Sequence, residues 1–595
     1  MTIKKINFFV KKIIYVLNKK IEKHIKREIT MNFMNKFKHH SLSCISHKNF
    51  VRNDDSRAVN ENRRGTTMSK LEAYYNDLIE LYPSFNSYLG RREYDDDYEN
   101  PLSSTFIKKY KKIMSKYKNV SGNTLDDKIL KFVIKGYNES IKIKNIDLLP
   151  PLSSFENDVI DFKSVNQNYP LNTSQDFENL VKRYRKFMKF IDSCIKQMKK
   201  GAKKRVVLSK LICKRMIDRL EKCYNNKEYI IEEVPEKYGY VFKEYREKLK
   251  ELIIFLKTKY LKKCMNGDGL CNLPNGKNIY KHLVKIETTT DKTPSEIHQI
   301  GLKEVARLKS ELEALKVKMG FGSLTLLEFY DKMRNDPTNY YTTIDDVLKG
   351  YEDVKATIEK VVMPKYFKTD VTPYNIKALS KDREEGSPGA YYYSGNKTNP
   401  GTFYVNMRDV SKIPNGNPKF NMVPLTLHEG NPGHHYQYQY ALDKDIPEYK
   451  TYAINSNGFV EGWGLYAESL GDTLYDQTTA EGRYNYYGRL NYEMFRALRL
   501  VVDTGIHYYG WSHKKALNYM LTLSSLEKSE LDSEVERYIC WKPGQAVSYK
   551  IGQMFISDLK TEYMKKPGAD IKVFHDKVLE NGVLPLKLLG EQFSS

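Results

Sequence analysis

Cysteine is scarce in this chain of 595 residues: Cys44, Cys194, Cys213, Cys223, Cys264, Cys271 and Cys540 are the only seven, and no two form a CxxC pair. Their odd number and scatter argue against a disulfide framework and fit free thiols in a reducing, intracellular (cytoplasmic) compartment. Long apolar runs are missing from the opening segment. Around Phe8 to Leu17 lysines interrupt every hydrophobic stretch well short of the ~18 residues that read as membrane-spanning. Negative charge is also in deficit, with 74 Asp and Glu against 98 Lys and Arg, for a net +24. Residues 1–67 hold 16 basic and 5 acidic residues, about +11, so nearly half of the excess sits in a ninth of the chain. The remainder is a lysine-rich surface, a pattern commoner in solvated faces than in nucleic-acid binders, and no nucleic-acid partner is expected.

What is present divides the chain. Residues 1–67 read as a basic, disordered extension in which residues 1–30 suit an amphipathic helix on a membrane surface or a transit-like peptide, the alternative being a non-native extension ahead of a start at Met34 or Met68; residues 50–67 look like linker. Order is expected from about Ser69. Leu71, Tyr74, Tyr75, Leu78 and Leu81 recur at helical spacing, and similar patterns predict helices at 104–118, 125–142, 174–200, 205–223 and 237–264. The turn-rich stretch Gly269–Gly276 marks a joint. Thr293-Pro294-Ser295-Glu296 then carries a helix start, with Thr as N-cap, Pro at N1 and Glu closing a capping box. The reading is one large helical domain over 68–595, with a scaffold at 68–285 and a catalytic part at 286–595. Within 386–409, Ala390–Tyr393 and Gly401–Asn406 read as a hairpin or pair of short strands. It is either a small stabilising sheet or an edge that holds an extended peptide.

The chemistry-bearing stretch is Leu427-His428-Glu429-Gly430-Asn431-Pro432-Gly433-His434-His435. Two imidazoles with a Glu between them suit a metal ion and a general base, but the HExxH spacing of four is absent. His428 and His434 are six apart, about 240° and 9 Å on an unbroken helix, too far to share one ion. Pro432 cannot donate to the carbonyl of His428, and Gly433 accepts almost any backbone angle. A bulge there would bring His434 into range. His435 competes for the role, and a helix simply ending at Pro-Gly with surface histidines is the plainer reading.

A third ligand is needed, and Asn457–Glu468 offers Glu461 or, two turns on, Glu468. Arg499, Asp503 and His507 share one helix face, as a structural ion pair or as a network orienting metal ligands. Glu536-Arg537-Tyr538 and Lys542–Gly552, with Tyr549, could supply an oxyanion donor or an anchor for a substrate carboxylate.

Taken together, His-Glu-x-x-Pro-Gly-His at 428–434, Glu-Gly-Trp-x-x-Tyr-Ala-Glu at 461–468 and Asp-Thr-Gly-x-His at 503–507 resemble a known pattern. Arg-Tyr at 537–538 and Pro-Gly-Gln-Ala-x-Ser-Tyr-Lys at 543–550 add to it. The chain resembles the DUF885 family over about residues 70–592, and that family is similar to gluzincin metallopeptidases. The resemblance implies a mainly α fold, a large helical metallopeptidase-like domain with a small β-sheet beside the zinc-site helix. It also implies Zn²⁺ held by His428, His434 and Glu461, with Glu429 as general base. Tyr549, Arg537 and His507 would assist at the oxyanion or a chain terminus. The expected activity is hydrolysis of a peptide substrate, in some members carboxypeptidase-like; the alternative is an inactive metal- or peptide-binding protein of the same fold.

Overall fold

The computed structural model describes residues 68–594 apart from 156, 167–168, 385–388 and 396–399. The basic extension at 1–67, residues 385–388 ahead of the expected strand pair and residues 396–399 in its connecting loop therefore lie outside the described residues. The chain divides into two compact units, one running to Asn266 and including Leu273–Ile279, the other comprising Gly267–Asn272 and Tyr280 onward.

In the N-terminal unit, short polar side chains start the helices. Ser69, Ser103, Thr124, Thr173 and Ser209 each accept the amide of the third residue along, opening α1 (Lys70–Ile79), α2 (Ser104–Lys116), α3 (Leu125–Ser140), α4 (Ser174–Lys203) and α5 (Lys210–Asn225). Thus the periodic pattern at 205–223 yields a helix only from Lys210, because Leu208 and Lys210 are bonded to the backbone of Met265. The pattern at 237–264 gives α6 (Tyr240–Phe255), followed by a π turn at Leu256–Tyr260 and a 3₁₀ turn at Leu261–Lys263. The core is aromatic. Phe187 of α4 stacks on Phe162 with ring centroids 3.7 Å apart, and Tyr98 and Tyr184 close on Phe162 edge-on. Each such fully buried ring contributes about 1.5–3 kcal/mol.

The C-terminal unit is mainly helical, with one small sheet, as its sequence pattern leads one to expect. Thr293 caps α7 (Pro294–Lys318) with the full capping box. After α8 (Ile344–Val361) come β1 (Asn375–Ala378), β2 (Ala390–Tyr393) and β3 (Thr402–Val405). Strands β2 and β3 are the expected antiparallel pair, with Tyr392 opposite Phe403. Strand β1 was not legible in the sequence; it runs parallel to β3, so the order is β1-β3-β2 and β2 is an edge. Phe403, Val405, Tyr351 and Met422 form the core beneath the sheet.

Then follow α9 (Lys419–Glu429), α10 (His434–Asp443), α11 (Asn457–Glu468), α12 (Ala480–His507), α13 (Lys528–Cys540) and α14 (Gln545–Tyr563). Helix α12 is the spine. From Ala497 to Ile506 its apolar side chains are wholly buried on all sides, the signature of a helix surrounded by others. It packs against α7, α9 and α14, while α11 packs on α9 and α14. At the α11–α14 crossing a Cβ on Gly552 would fall 1.8 Å from the Gly458 carbonyl oxygen, so only glycine permits this approach. Among the described residues, no helix is long and apolar enough to cross a membrane.

Candidate metal centre

The six-residue spacing is resolved by a break between two helices, not by a bulge within one. Helix α9 ends at Glu429 and α10 starts at His434; Gly430 and Gly433 carry non-helical ψ angles of −135° and −130°. The Asn431–Pro432 peptide is cis. A Cβ on Gly433 would meet the His428 carbonyl oxygen at 1.9 Å, so the returning chain lies directly against the end of α9. The Trp463 indole of α11 donates to the carbonyl oxygen of Pro432 at 2.9 Å and pins the break.

The break turns the two imidazoles toward one carboxylate. His434 Nε2 lies 3.5 Å and His428 Nε2 3.9 Å from Glu461 Oε2, and the two rings stand nearly perpendicular, 4.8 Å between centroids. His428, His434 and Glu461 each offer a donor atom within 4.8 Å of the others. Four donors held about 2.0–2.1 Å from a zinc ion in a tetrahedron stand about 3.4 Å apart, so this set fits zinc after small adjustments. Burial opposes the charge on Glu461, but His434, His428 and the Tyr549 hydroxyl outweigh it and hold the carboxyl at about 2. Burial likewise opposes a charge on His434, yet Glu461 and Glu429 raise its pKa above the usual 6.5.

Glu468 is not a ligand in this arrangement. Its Oε1 lies 2.8 Å from Nδ1 of His428, which directs Nε2 toward Glu461. Arg496 backs the same oxygen at 3.5 Å. Gly464, on the facing side of α11, leaves the room: a Cβ there would stand 2.9 Å from the His428 ring. His435 turns away, its Nδ1 3.0 Å from the Tyr392 hydroxyl and its ring against Tyr374. Burial drives its pKa down to about 3, so it is a neutral core group.

Glu429 sits beside the triad, partly exposed, and its Oε2 accepts the backbone N–H of Tyr392 at 2.9 Å. Asn406 donates to Gly389 across the β2–β3 pair. By the alternation of an antiparallel ladder, Tyr392 then presents its N–H and C=O outward from the edge. Edge strand and carboxylate thus face one another.

Tyr549 and Arg537 join this cluster in sequence. Gln545 bridges them, accepting from Arg537 at 3.1 Å and donating to the Tyr549 hydroxyl at 3.4 Å. Burial and the neighbouring Glu461 push the Tyr549 hydroxyl up to about 12, so it keeps its proton. Arg499 lies over the Tyr549 ring, 4.5 Å from its centroid, and shares Glu534 with Arg537.

The expected Arg499–Asp503 pair does not form. Asp503 instead accepts from the Tyr280 hydroxyl and from the Gly544 amide, the latter at 3.1 Å, and burial raises its carboxyl to about 7. His507 is no part of the cluster either. Its Nδ1 accepts the Leu270 amide at 3.1 Å and its Nε2 donates to the Tyr538 carbonyl at 2.8 Å, leaving neither nitrogen for a substrate. Being on the same face as Arg499 brought it into consideration; burial among backbone groups removes it.

Sequence reasoning missed Tyr492 and Arg496. Burial and the carboxylates Glu468, Glu530 and Glu429 keep the Tyr492 hydroxyl protonated, and Arg496 lies over its ring, 4.5 Å from the centroid. The signal was available: Tyr492, Arg496 and Arg499 are spaced i, i+4, i+7 and so share one face of the helix.

No curated protein matches this chain. Among solved structures, a provisionally assigned lipoprotein of Colwellia psychrerythraea superposes with a TM-score of 0.74 at 22% identity, over 89% of this chain and 99% of that one. A lipoprotein of unknown function from Shewanella oneidensis, also provisionally assigned, gives a TM-score of 0.66 at 17% identity, over 89% and 100%. Both likenesses concern the fold. Residues 83–593 match the family described as bacterial protein of unknown function, DUF885, and the chain belongs to that family.

Proposed function

We propose that this protein is a zinc-dependent peptidase. The observation that carries the reading is the convergence of His428, His434 and Glu461, with Glu429 between that triad and an edge strand. A zinc ion held by the triad would supply Lewis acidity, polarising a peptide carbonyl and acidifying a water. Glu429 takes the proton of the attacking water and delivers it to the leaving amine. The β2 edge lets an extended peptide lie alongside as an added strand, with the Tyr392 N–H holding Glu429 in place beside it. Tyr549, protonated near neutral pH, donates to the oxygen on which negative charge develops. Arg499 and Arg537, with a single shared Glu534, leave one positive charge near Tyr549, and this favours a substrate carboxylate at that end.

The test is incubation of the zinc-loaded protein with a mixed peptide library, reading cleavage sites by mass. Cleavage abolished by a chelator and restored by zinc is expected. Zinc binding without turnover would leave the inactive peptide-binding alternative.

The compartment follows from one of two observations. The six described cysteines form no disulfide, which supports an intracellular site, whereas the lipoprotein descriptions of two structural relatives support a lipid-anchored one. Cell fractionation with a globomycin-type block of lipoprotein processing separates them.

A further inference from the structure

The N-terminal unit carries a basic cleft that the peptidase reading does not use. Lys131, Lys135, Asn138 and Lys142 are spaced i, i+4, i+7, i+11 and so line one face of α3 and its C-terminal extension. Lys118, beyond the end of α2, lines with them an open cavity of about 390 Å³ whose wall also holds Ile134 and Val120. Glu139 is the one carboxylate in its wall, so the cleft holds three positive charges in excess.

Elsewhere in this unit lysines meet carboxylates, as in Lys116–Asp77 at 2.7 Å, Lys182–Asp96 at 3.2 Å and Lys257–Glu221 at 2.8 Å. Lys118, Lys135 and Lys142 form no ion pair among the described residues, and Lys131 turns to the Gly122 carbonyl. Like charges gathered around a concavity repel one another unless an anion joins them. The cavity is the size of a small-ligand site. Ammonium groups act as point charges, without the planar fork that selects carboxylates, and they suit an anion of high charge density.

We propose that this cleft binds a phosphate-bearing polyanion, either a soluble di- or triphosphate or the headgroup of an anionic phospholipid. Binding depends on charge more than on buried area, so it weakens steeply with added salt.

The test uses the full chain in two arms, titration calorimetry with inorganic tripolyphosphate and co-sedimentation with phosphatidylglycerol vesicles, each at 50 and 300 mM salt. The double variant Lys135→Glu/Lys142→Glu is compared with Lys108→Glu/Lys109→Glu, an equal charge change at exposed positions of α2 outside the cleft. Circular dichroism melting confirms that each variant is folded. The expected result is salt-sensitive binding that falls at least tenfold in the cleft variant and less than threefold in the control. Binding of tripolyphosphate identifies a soluble ligand, and binding to vesicles alone identifies a headgroup; both support the cleft. Absence of binding in both arms, or equal losses in the two variants, overturns it. Neither arm depends on the metal or on peptide turnover.

Discussion

Nδ1 of His428 lies 2.8 Å from Oε1 of Glu468, forty residues further along the chain. That contact sets which ring nitrogen of His428 faces Glu461, and so decides whether the triad can hold an ion. Glu468→Gln should leave the fold intact and lower zinc affinity about 10–100-fold. Competition with a chromophoric chelator measures it; unchanged affinity would show that Nε2 is directed by something else.

Glu429 stands apart from the ligands while facing the same space. Glu429→Gln should therefore retain stoichiometric zinc and reduce peptide hydrolysis by about 10²–10⁴-fold. Metal content and turnover are measured on the same sample, because a variant that loses both would make Glu429 a ligand.

The helix break depends on Gly433. A methyl group there meets the carbonyl oxygens of Leu427 and His428, both backbone atoms that cannot rotate aside. Gly433→Ala should cost about 1–3 kcal/mol of stability, the range for overpacking, and should weaken zinc binding as His434 is displaced. Thermal melting and chelator competition follow the two effects. A variant with a lowered melting point and unaltered zinc affinity would separate the break from the metal site.

Tyr549 and His507, both singled out in the sequence, should part company in a paired experiment. Tyr549→Phe removes a hydroxyl beside Glu461 and is expected to lower kcat by about 10²-fold. His507→Gln removes two backbone hydrogen bonds, so it should lower the melting temperature without changing the kcat of the proposed hydrolysis in the folded protein. An intact melting point with reduced kcat would return His507 to the chemistry.

Stability should fall on acidification well above the pH range in which ordinary carboxylates titrate. Burial lowers His435 to about 3 and His507 and His575 to about 4, so all three are neutral in the folded state down to that range. Unfolded, they take up protons below about 6.5. Between roughly pH 4 and 6.5 the unfolded chain therefore binds three more protons at these sites. Asp503 acts in the opposite sense: raised to about 7, it is protonated when folded and ionised when unfolded across the same window. At these four groups the net of two protons corresponds to about 2–3 kcal/mol lost per pH unit on acidification, and His298, also lowered by burial, acts in the same direction as the three histidines. Denaturant midpoints at pH 5, 6 and 7 measure the slope, and a His575→Gln variant should reduce it by about one proton. A midpoint that does not move between pH 7 and 5 would refute the neutral assignment.

Much of this architecture is local and hence readable. The caps at Ser69, Thr124, Thr173 and Thr293, and the buried stripe of α4, follow from short-range hydrogen bonding and from 3.6-residue periodicity. The candidate donors were readable for a different reason. The motifs at 428–434 and 461–468 gather imidazoles and carboxylates, and Pro432-Gly433 announced that no unbroken helix could join His428 to His434; the choice of His434 over His435 and of Glu461 over Glu468 came from the resemblance to the DUF885 pattern.

Geometry across the chain was beyond reach. Glu461 and Glu468 lie on one helix face, and no local rule says which of them faces Nε2 of His428 and which faces Nδ1. The packing of α11 on α9, which needs the bare α-carbon of Gly464 beside the imidazole, makes that choice. His507 shares a face with Arg499 and carries the right chemistry, yet its nitrogens are consumed by Leu270 and Tyr538, 237 and 31 residues away. Strand β1 has only four residues and pairs in parallel with a partner 27 positions on, so no turn signal marks it. Residue identity limits which groups can bind, bond or ionise, whereas long-range packing assigns each group its partner, because that assignment depends on distances between segments that no local pattern encodes.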